Sequence, residues 1–146
     1  MSSTETHTPI LLVDDNECDI DLALRAFKKQ KFLNPIEVCH DGVEVMDIVK
    51  EWDKGRIPPV LILLDLKMPR INGLQVLAYL KGTEKYKDIP IVVLTTSKED
   101  SDIAKAYSLG ANSYIVKPVE YSKFLQIAAQ IKLYWTVLNS FPTGMP

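Results

Sequence analysis

The segment VLILLD, Val60–Asp65, decides the fold, because five apolar residues in a row end in a carboxylate. Three other apolar runs occupy Ile10–Val13, Ile91–Leu94 and Tyr114–Val116, and a weaker run occupies Ile36–Cys39. Short runs that are apolar throughout are typical of strands buried on both faces, as in a parallel sheet. Segments with helical spacing of apolar residues lie between these runs, so strand and helix alternate along the chain.

Alternation of strand and helix predicts an α/β doubly wound fold. With five parallel strands, the flavodoxin-like order 2-1-3-4-5 is the expected topology, and right-handed crossovers place helices on both faces of the sheet. We expect the folded domain to span residues 9–138, with a flexible N-terminal tail at 1–8 and a C-terminal tail at 139–146.

Local signals predict the limits of one helix and the buried face of another. Ser97 and Asp100 have the spacing of a capping box, which predicts the start of the fourth helix. Gly110 is placed to end that helix in a left-handed conformation. The predicted buried face of the third helix comprises Leu74, Leu77, Ala78 and Lys81.

Composition excludes several classes of function. The chain has 146 residues, of which 47% are hydrophobic and 25% charged, as in an ordinary folded domain. A net charge of -2 gives no electrostatic reason to expect a nucleic-acid partner. Cys18 and Cys39 form no CxxC pair, so a zinc site is not expected. The polar start and the lack of a long apolar stretch predict a cytoplasmic protein without a membrane partner.

The last predicted helix, residues 121–138, carries apolar residues on two faces. The predicted core face comprises Phe124, Ile127, Ala128, Ile131, Tyr134, Trp135 and Leu138. On the opposite side, where polar residues are expected, lie Ala129, Leu133 and Val137. One interpretation is that these three are scattered exposed apolar residues, which are normal on protein surfaces. The other is that they form a surface for a dimer or another partner. Both interpretations stay open.

Polar residues directly follow the predicted strands. In open α/β sheets, ligands bind beyond the carboxyl ends of the strands. The residues at those ends are Asp14, Asp15, Asp65, Thr95 and Lys117. Each one alone has an ordinary explanation as a cap, a turn residue or a solvated side chain. Their occurrence together at one edge of the sheet is hard to explain in that way, so we expect a functional site there.

The chemistry of this set points to a metal and a phosphoryl group. Three carboxylates packed together repel one another, and a hard divalent cation such as Mg²⁺ removes that conflict. Such a cation also neutralises charge on a transferring phosphoryl group, so that Asp65 can act as a nucleophile and form an aspartyl-phosphate. Lys117 and the Thr95 hydroxyl can then pair with phosphoryl oxygens and convert a local charge change into a surface change.

Four segments, in this order, resemble the receiver domain of two-component response regulators. They are VDDN (Val13–Asn16), LLDLKMPRING (Leu63–Gly73), VVLTTS (Val92–Ser97) and YIVKP (Tyr114–Pro118). The resemblance covers about residues 9–130. It implies Mg²⁺-dependent transfer of a phosphoryl group to Asp65 from a phosphohistidine on a sensor histidine kinase. Only the tail Asn139–Pro146 follows the predicted domain, so we expect a stand-alone receiver, which by resemblance acts by docking to an unidentified downstream protein or by relaying the phosphoryl group.

The resemblance assigns the metal ligands. Asp15, Asp65 and the backbone carbonyl of Lys67 are the implied Mg²⁺ ligands, and Asp14 is implied to act through water. Lys67 and Ser97 occupy two positions that tune dephosphorylation in this family.

The resemblance also assigns the parts of the switch. Thr95 is the implied switch hydroxyl, and Lys117 is the implied partner of the phosphoryl group. Tyr114 resembles the aromatic residue whose rotamer accompanies activation. The peptide bond between Lys117 and Pro118 is expected to be cis by the same resemblance.

A narrower resemblance connects the chain to response regulators paired with bacterial phytochromes. The segments that carry it include Asn34–Gly42, Asn112–Pro118 and Tyr134–Pro142. It implies a phytochrome-type sensor kinase as one possible partner. Regulators of this group also pair with other sensor kinases, so the alternative stays open. Some members dimerise near the last helix, which adds weight to a docking surface at Ala129, Leu133 and Val137.

Three rival functions are weighed against this one. A phosphohydrolase of the haloacid dehalogenase type needs a second Asp two residues after the nucleophile, where this chain has Lys67. A flavodoxin binds FMN phosphate with a Ser/Thr-rich first loop, which is acidic here at Asp14 and Asp15. A phosphorylation-independent scaffold usually lacks the acceptor Asp or the Lys, and both Asp65 and Lys117 are present.

Overall fold

The computed structural model describes residues 8–117 and 120–140, with side chains described as far as residue 133. The strands are β1 Ile10–Val13, β2 Ile36–Cys39, β3 Leu61–Leu64, β4 Ile91–Thr95 and β5 Ser113–Val116. The helices are α1 Glu17–Lys29, α2 Gly42–Asp53, α3 Gly73–Lys81, α4 Asp100–Ser108 and α5 Tyr121–Ser140.

The sheet has the predicted topology. Its strands are all parallel and lie in the order β2-β1-β3-β4-β5, so the flavodoxin-like prediction is confirmed. Val13 at the end of β1 is in register with Leu64 at the end of β3. Thr95 at the end of β4 is in register with Val116 of β5. The residues that follow these strands therefore emerge at one edge of the sheet.

The sheet separates two hydrophobic layers. In β1, Leu11 and Val13 pack in the layer that includes α2 and α3, whereas Leu12 packs in the layer that includes α1 and α5. Phe27 of α1 and Phe124 of α5 belong to that second layer. Both faces of the central strands are thus covered, which explains why their sequences are apolar throughout.

The predicted buried face of α3 is wrong in part. Leu74 is half-buried and Ala78 is exposed. The fully buried residues of this helix are Gly73, Val76, Leu77 and Leu80. A β-carbon on Gly73 would lie 2.3 Å from the carbonyl oxygen of Asp65, so only glycine allows the start of the helix to approach β3 so closely. This close approach determines which side of α3 meets the sheet.

The predicted capping box of α4 is also wrong. The N-cap of this helix is Glu99, whose side chain makes no capping hydrogen bond, and Asp100 is its first residue. The Ser97 hydroxyl instead donates to a carboxylate oxygen of Asp102. The prediction for Gly110 is confirmed, since it follows the helix with a φ of 109°.

The described part of α5 agrees with the pattern of its two faces. Phe124, Ile127 and Ala128 are buried. Ala129 and Leu133 are exposed on the other side of the helix. Ile131 is half-buried against the same layer, and the side chains of Tyr134, Trp135, Val137 and Leu138 lie outside the described residues. Among the described residues, no helix is both long enough and apolar enough to span a bilayer.

Candidate functional site

The sheet fixes the backbone beneath two of the carboxylates. Asp14 follows β1 and Asp65 follows β3, which are neighbouring strands. The amide of Asp65 donates to the carbonyl of Val13 at 2.9 Å, and the amide of Asp14 donates to the carbonyl of Cys39 at 3.0 Å. Both side chains therefore start from positions held on two sides by the sheet.

Three carboxylates form a cluster at this edge. Asp14, Asp15 and Asp65 each place one carboxylate oxygen within 4.8 Å of the others. Asp14 and Asp65 are buried, whereas Asp15 is exposed. Burial raises the pKa of the Asp14 carboxyl, although hydrogen bonds from Lys117 and Asn16 oppose that rise. A group of hard oxygen donors with one open side fits a divalent cation. The carbonyl of Lys67 stays a predicted ligand.

Lys117 contributes a buried positive charge beside this cluster. Its ammonium nitrogen lies 2.7 Å from Asp14 Oδ2 and 3.6 Å from Asp65 Oδ2. Its backbone amide donates to the carbonyl of Thr95 at 2.7 Å, which ties it to β4. Burial alone would lower the pKa of this ammonium group, but hydrogen bonds to Asp14 and Asp19 raise it on balance. Pro118, and with it the predicted cis peptide bond, lies outside the described residues.

Asp19 is a site residue that the sequence analysis missed. Its Oδ2 atom lies 2.8 Å from the ammonium nitrogen of Lys117. Its backbone amide donates to Oδ1 of Asn16, the N-cap of α1, so Asp19 occupies the third helical position. Side chains at that position commonly reach back toward the cap. An Asn followed three residues later by Asp was therefore the available signal.

Thr95 and Tyr114 meet at the loop after β4. Thr95 is fully buried, and its Oγ1 accepts a hydrogen bond from the amide of Ser97 at 3.5 Å. The Tyr114 hydroxyl donates to the carbonyl of Ser97 at 3.1 Å. The structure therefore connects the two predicted switch residues through one loop, and their roles stay predictions.

A second network joins the loop after β3, which contains Asp65, to the loop after β4. The backbone amide of Lys67 donates to Asp65 Oδ1 at 3.1 Å, which orients the carboxylate. The Lys67 ammonium lies 3.3 Å from Asp102 Oδ2, and the Ser97 hydroxyl donates to the same oxygen at 2.5 Å. Hydrogen bonds from Ser97 and Lys67 lower the pKa of the Asp102 carboxyl. No sequence signal singled out Asp102.

The β3–α3 loop is also held on its far side. Asp41 caps α2 by accepting a hydrogen bond from the amide of Glu44 at 2.8 Å, and it pairs with the guanidinium of Arg70. Arg70 has a φ of 63°, in the left-handed region. These two hydrogen bonds lower the pKa of the Asp41 carboxyl. The loop that follows the acceptor strand is thus tied to two helices.

Comparisons with known proteins agree with this geometry. Residues 10–129 match the model of the response regulator receiver domain. The chain is 40% identical over 134 residues to the probable methanogenesis regulatory protein FilR2 of Methanothrix harundinacea, covering 91% of this chain and 86% of that one. It is 31% identical over 146 residues to the response regulator Rcp1 of Synechocystis, covering 97% and 99%.

Two solved structures share the fold. The Mn²⁺-bound form of response regulator Rcp1 superimposes with a TM-score of 0.77 and 32% identity, over 88% of this chain and 94% of that one. The phosphorylated cyanobacterial phytochrome response regulator RcpA gives a TM-score of 0.79 and 35% identity, over 95% and 99%. One of these relatives is therefore seen with a divalent metal, and the other is seen phosphorylated.

Proposed function

Because this chain belongs to the response regulator receiver domain family, we propose that it is a switch whose Asp65 accepts a phosphoryl group from a phosphohistidine of a sensor histidine kinase. The observation that carries this proposal is the position of Asp65, buried beside the ammonium of Lys117 and within a cluster of three carboxylates. The phosphorylated form of the relative RcpA supports it. The protein would catalyse only its own phosphorylation and dephosphorylation.

The chain supplies orientation and charge for the transfer. A carboxylate oxygen of Asp65 bonds to phosphorus as the bond from phosphorus to the histidine nitrogen breaks, and the electron pair of that bond stays on the imidazole. The amide of Lys67 orients the carboxylate through Oδ1. The ammonium of Lys117 lies on the side of Oδ2, where it can pair with negative charge on the phosphoryl group.

The proposed cofactor is Mg²⁺. Asp14, Asp15 and Asp65, with the carbonyl of Lys67, would hold it, with Asp14 acting through water. When bound, the ion neutralises charge on the transferring phosphoryl group. Mg²⁺ favours the same oxygen ligands that this cluster presents, and the Mn²⁺-bound form of Rcp1 supports a divalent metal in a relative.

Thr95 and Tyr114 would convert phosphorylation into a change of surface. The Thr95 hydroxyl would donate to a phosphoryl oxygen and draw the loop after β4 toward Asp65. The Tyr114 hydroxyl donates a hydrogen bond to the carbonyl of Ser97 in that loop, so the tyrosine ring would move with the loop.

The proposed partners are proteins of the cytoplasm. They are a sensor histidine kinase, of which a phytochrome-type photoreceptor is one candidate, and a downstream protein. A homodimer through Ala129, Leu133 and Val137 is also proposed. The 66% exposure of Leu133 supports it.

The test is intact mass after incubation with acetyl phosphate. We expect the wild-type protein to gain one phosphoryl group in the presence of Mg²⁺ and none after chelation. Asp65→Asn should gain none, whereas Asp47→Asn, which changes an exposed carboxylate on α2, should behave as wild type. Stable labelling of Asp65→Asn at another residue would contradict the assignment. Release of phosphate without an adduct would favour the phosphohydrolase, and no adduct in wild type would favour the scaffold.

A further inference from the structure

The ammonium group of Lys117 makes its short contacts away from the acceptor. Its nitrogen lies 2.7 Å from Asp14 Oδ2 and 2.8 Å from Asp19 Oδ2, which are both hydrogen-bond distances. The distance to Asp65 Oδ2 is 3.6 Å, which is too long for a strong hydrogen bond. A phosphoryl oxygen on Asp65 would therefore compete with these two carboxylates for the ammonium.

The two partners differ in how readily water can replace the lysine. The side chain of Asp14 is 2% exposed, so in the metal-free protein loss of Lys117 would leave a buried carboxylate without a compensating charge or water. The side chain of Asp19 is 20% exposed, so water can hydrate it when the lysine leaves. Asp19 is thus the contact that costs less to break.

We propose that Asp19 is a positioning residue that holds Lys117 in the unphosphorylated state and competes with the phosphoryl group for its ammonium. This inference rests on the proposed function, since it concerns the lysine that would pair with phosphorylated Asp65. A phosphoryl group adds negative charge and strong acceptor oxygens, so Lys117 exchanges Asp19 for one of them. The exchange also releases the first turn of α1, where Asp19 is placed by the Asn16 cap.

The variant that tests this competition is Asp19→Asn. Asparagine keeps the size of the side chain but replaces a charge-assisted hydrogen bond with a neutral one, which is weaker. We expect the ratio of phosphorylated to unphosphorylated protein at a fixed acetyl phosphate concentration to rise roughly three- to tenfold. Asp19→Glu, which restores the carboxylate, should return the ratio toward that of wild type.

Glu17→Gln is the matched control. Glu17 lies in the same first turn of α1, so this change removes the same charge from the helix N-terminus, and its contact is with His40 rather than Lys117. Its ratio should stay at the wild-type value. A purely structural role for Asp19 would lower the melting temperature without raising the ratio, so thermal unfolding of all variants is measured in parallel.

A second measurement needs neither metal nor phosphate. In the metal-free protein, the nitrogen-15 NMR signal of the Lys117 ammonium should broaden through faster hydrogen exchange in Asp19→Asn, and it should not change in Glu17→Gln. If wild type forms the adduct but Asp19→Asn shows an unchanged ratio or an unchanged ammonium signal, this inference is wrong and the proposed function stands. If wild type forms no adduct, both this inference and the proposed function are wrong.

Discussion

The hydroxyl of Ser97 donates to the carboxylate of Asp102 at 2.5 Å, and this bond ties the loop after β4 to the first turn of α4. The same carboxylate oxygen lies 3.3 Å from the ammonium of Lys67. Lys67 in turn directs its backbone amide at Asp65. One carboxylate on α4 thus joins the loop after β4 to the loop that contains the proposed acceptor.

Replacing Asp102 with Ala should lengthen the life of the phosphoryl group. The ammonium of Lys67 would lose its partner and become free to pair with the phosphoryl group next to it. Because Lys67 is largely exposed, we expect a slowing of only about two- to fivefold. The measurement is loss of the adduct by intact mass after the donor is removed. Asp100→Ala, an exposed carboxylate in the same turn, is the control, and equal half-lives for the two variants would refute the effect.

Replacing Lys117 with Met should destabilise the metal-free protein and make its stability depend on Mg²⁺. The change leaves Asp14 buried next to Asp65 without a cation, and breaking a buried pair in this way costs about 3 kcal/mol or more. A divalent ion on the carboxylate cluster should restore part of that loss. Urea unfolding with and without Mg²⁺ measures it. Lys105→Met, on the exposed side of α4, should show neither effect, and a Mg²⁺-independent loss in Lys117→Met would contradict the prediction.

Acid should destabilise the protein in part through Asp41. Its pKa in the folded state lies below the ordinary value of 3.8, because the Glu44 amide and then Arg70 donate hydrogen bonds to its carboxylate. The unfolded chain therefore binds the proton more readily, so this stabilisation is present above the unfolded pKa and is lost as the pH falls through the folded pKa.

The matching experiment compares wild type with Asp41→Asn, since asparagine preserves a good N-cap but does not titrate. Urea unfolding between pH 7 and about pH 3 should show that the advantage of wild type shrinks below about pH 4. Asp47→Asn, on the exposed side of the same helix, should run parallel to wild type. A difference between wild type and Asp41→Asn that does not vary with pH would exclude this carboxylate as the source.

Introducing Lys at Leu133 and Val137 should separate the proposed dimer. Leu133 is exposed, and charged residues are depleted at the centres of protein interfaces. Sedimentation should give the mass of a dimer for wild type and of a monomer for the double variant. Leu33→Lys, which changes a leucine that is 75% exposed in another part of the chain, should leave the mass unchanged. An unaltered mass in the double variant would remove this surface from the proposal.

The sheet and the carboxylate cluster could be predicted because both depend on apolar runs and on the residues that directly follow those runs in the sequence. A strand covered on both faces must be apolar throughout, as Leu61–Leu64 is, and a residue that directly follows such a strand must emerge at the same edge. Asp14, Asp65 and Lys117 are all of this kind, so strand register places all three at the same edge of the sheet.

The residues that were missed depend on three-dimensional detail that periodicity does not contain. Asp19 reaches Lys117 only because the Asn16 cap starts α1 at one particular residue. Asp102 reaches Ser97 only because α4 starts after Glu99 and not directly after Ser97, as the expected capping box required. The face of α3 depends on a steric fit of Gly73 against the backbone of Asp65, which no count of apolar residues reveals.

Helix α4 has the fewest buried residues of the four helices, α1 to α4, whose side chains are all described. Within this helix, which the structure describes in full, Ala106 is the only fully buried residue, whereas α2 buries Val45, Ile48, Val49 and Trp52 among others. Uncovering one methyl group costs on the order of 0.8 kcal/mol, against about 1.5–3 kcal/mol for each large side chain. A covalent event at Asp65 could therefore shift α4 with a small fraction of the energy that would dislodge its neighbours, and the rest of the molecule would serve as the fixed frame against which that helix moves.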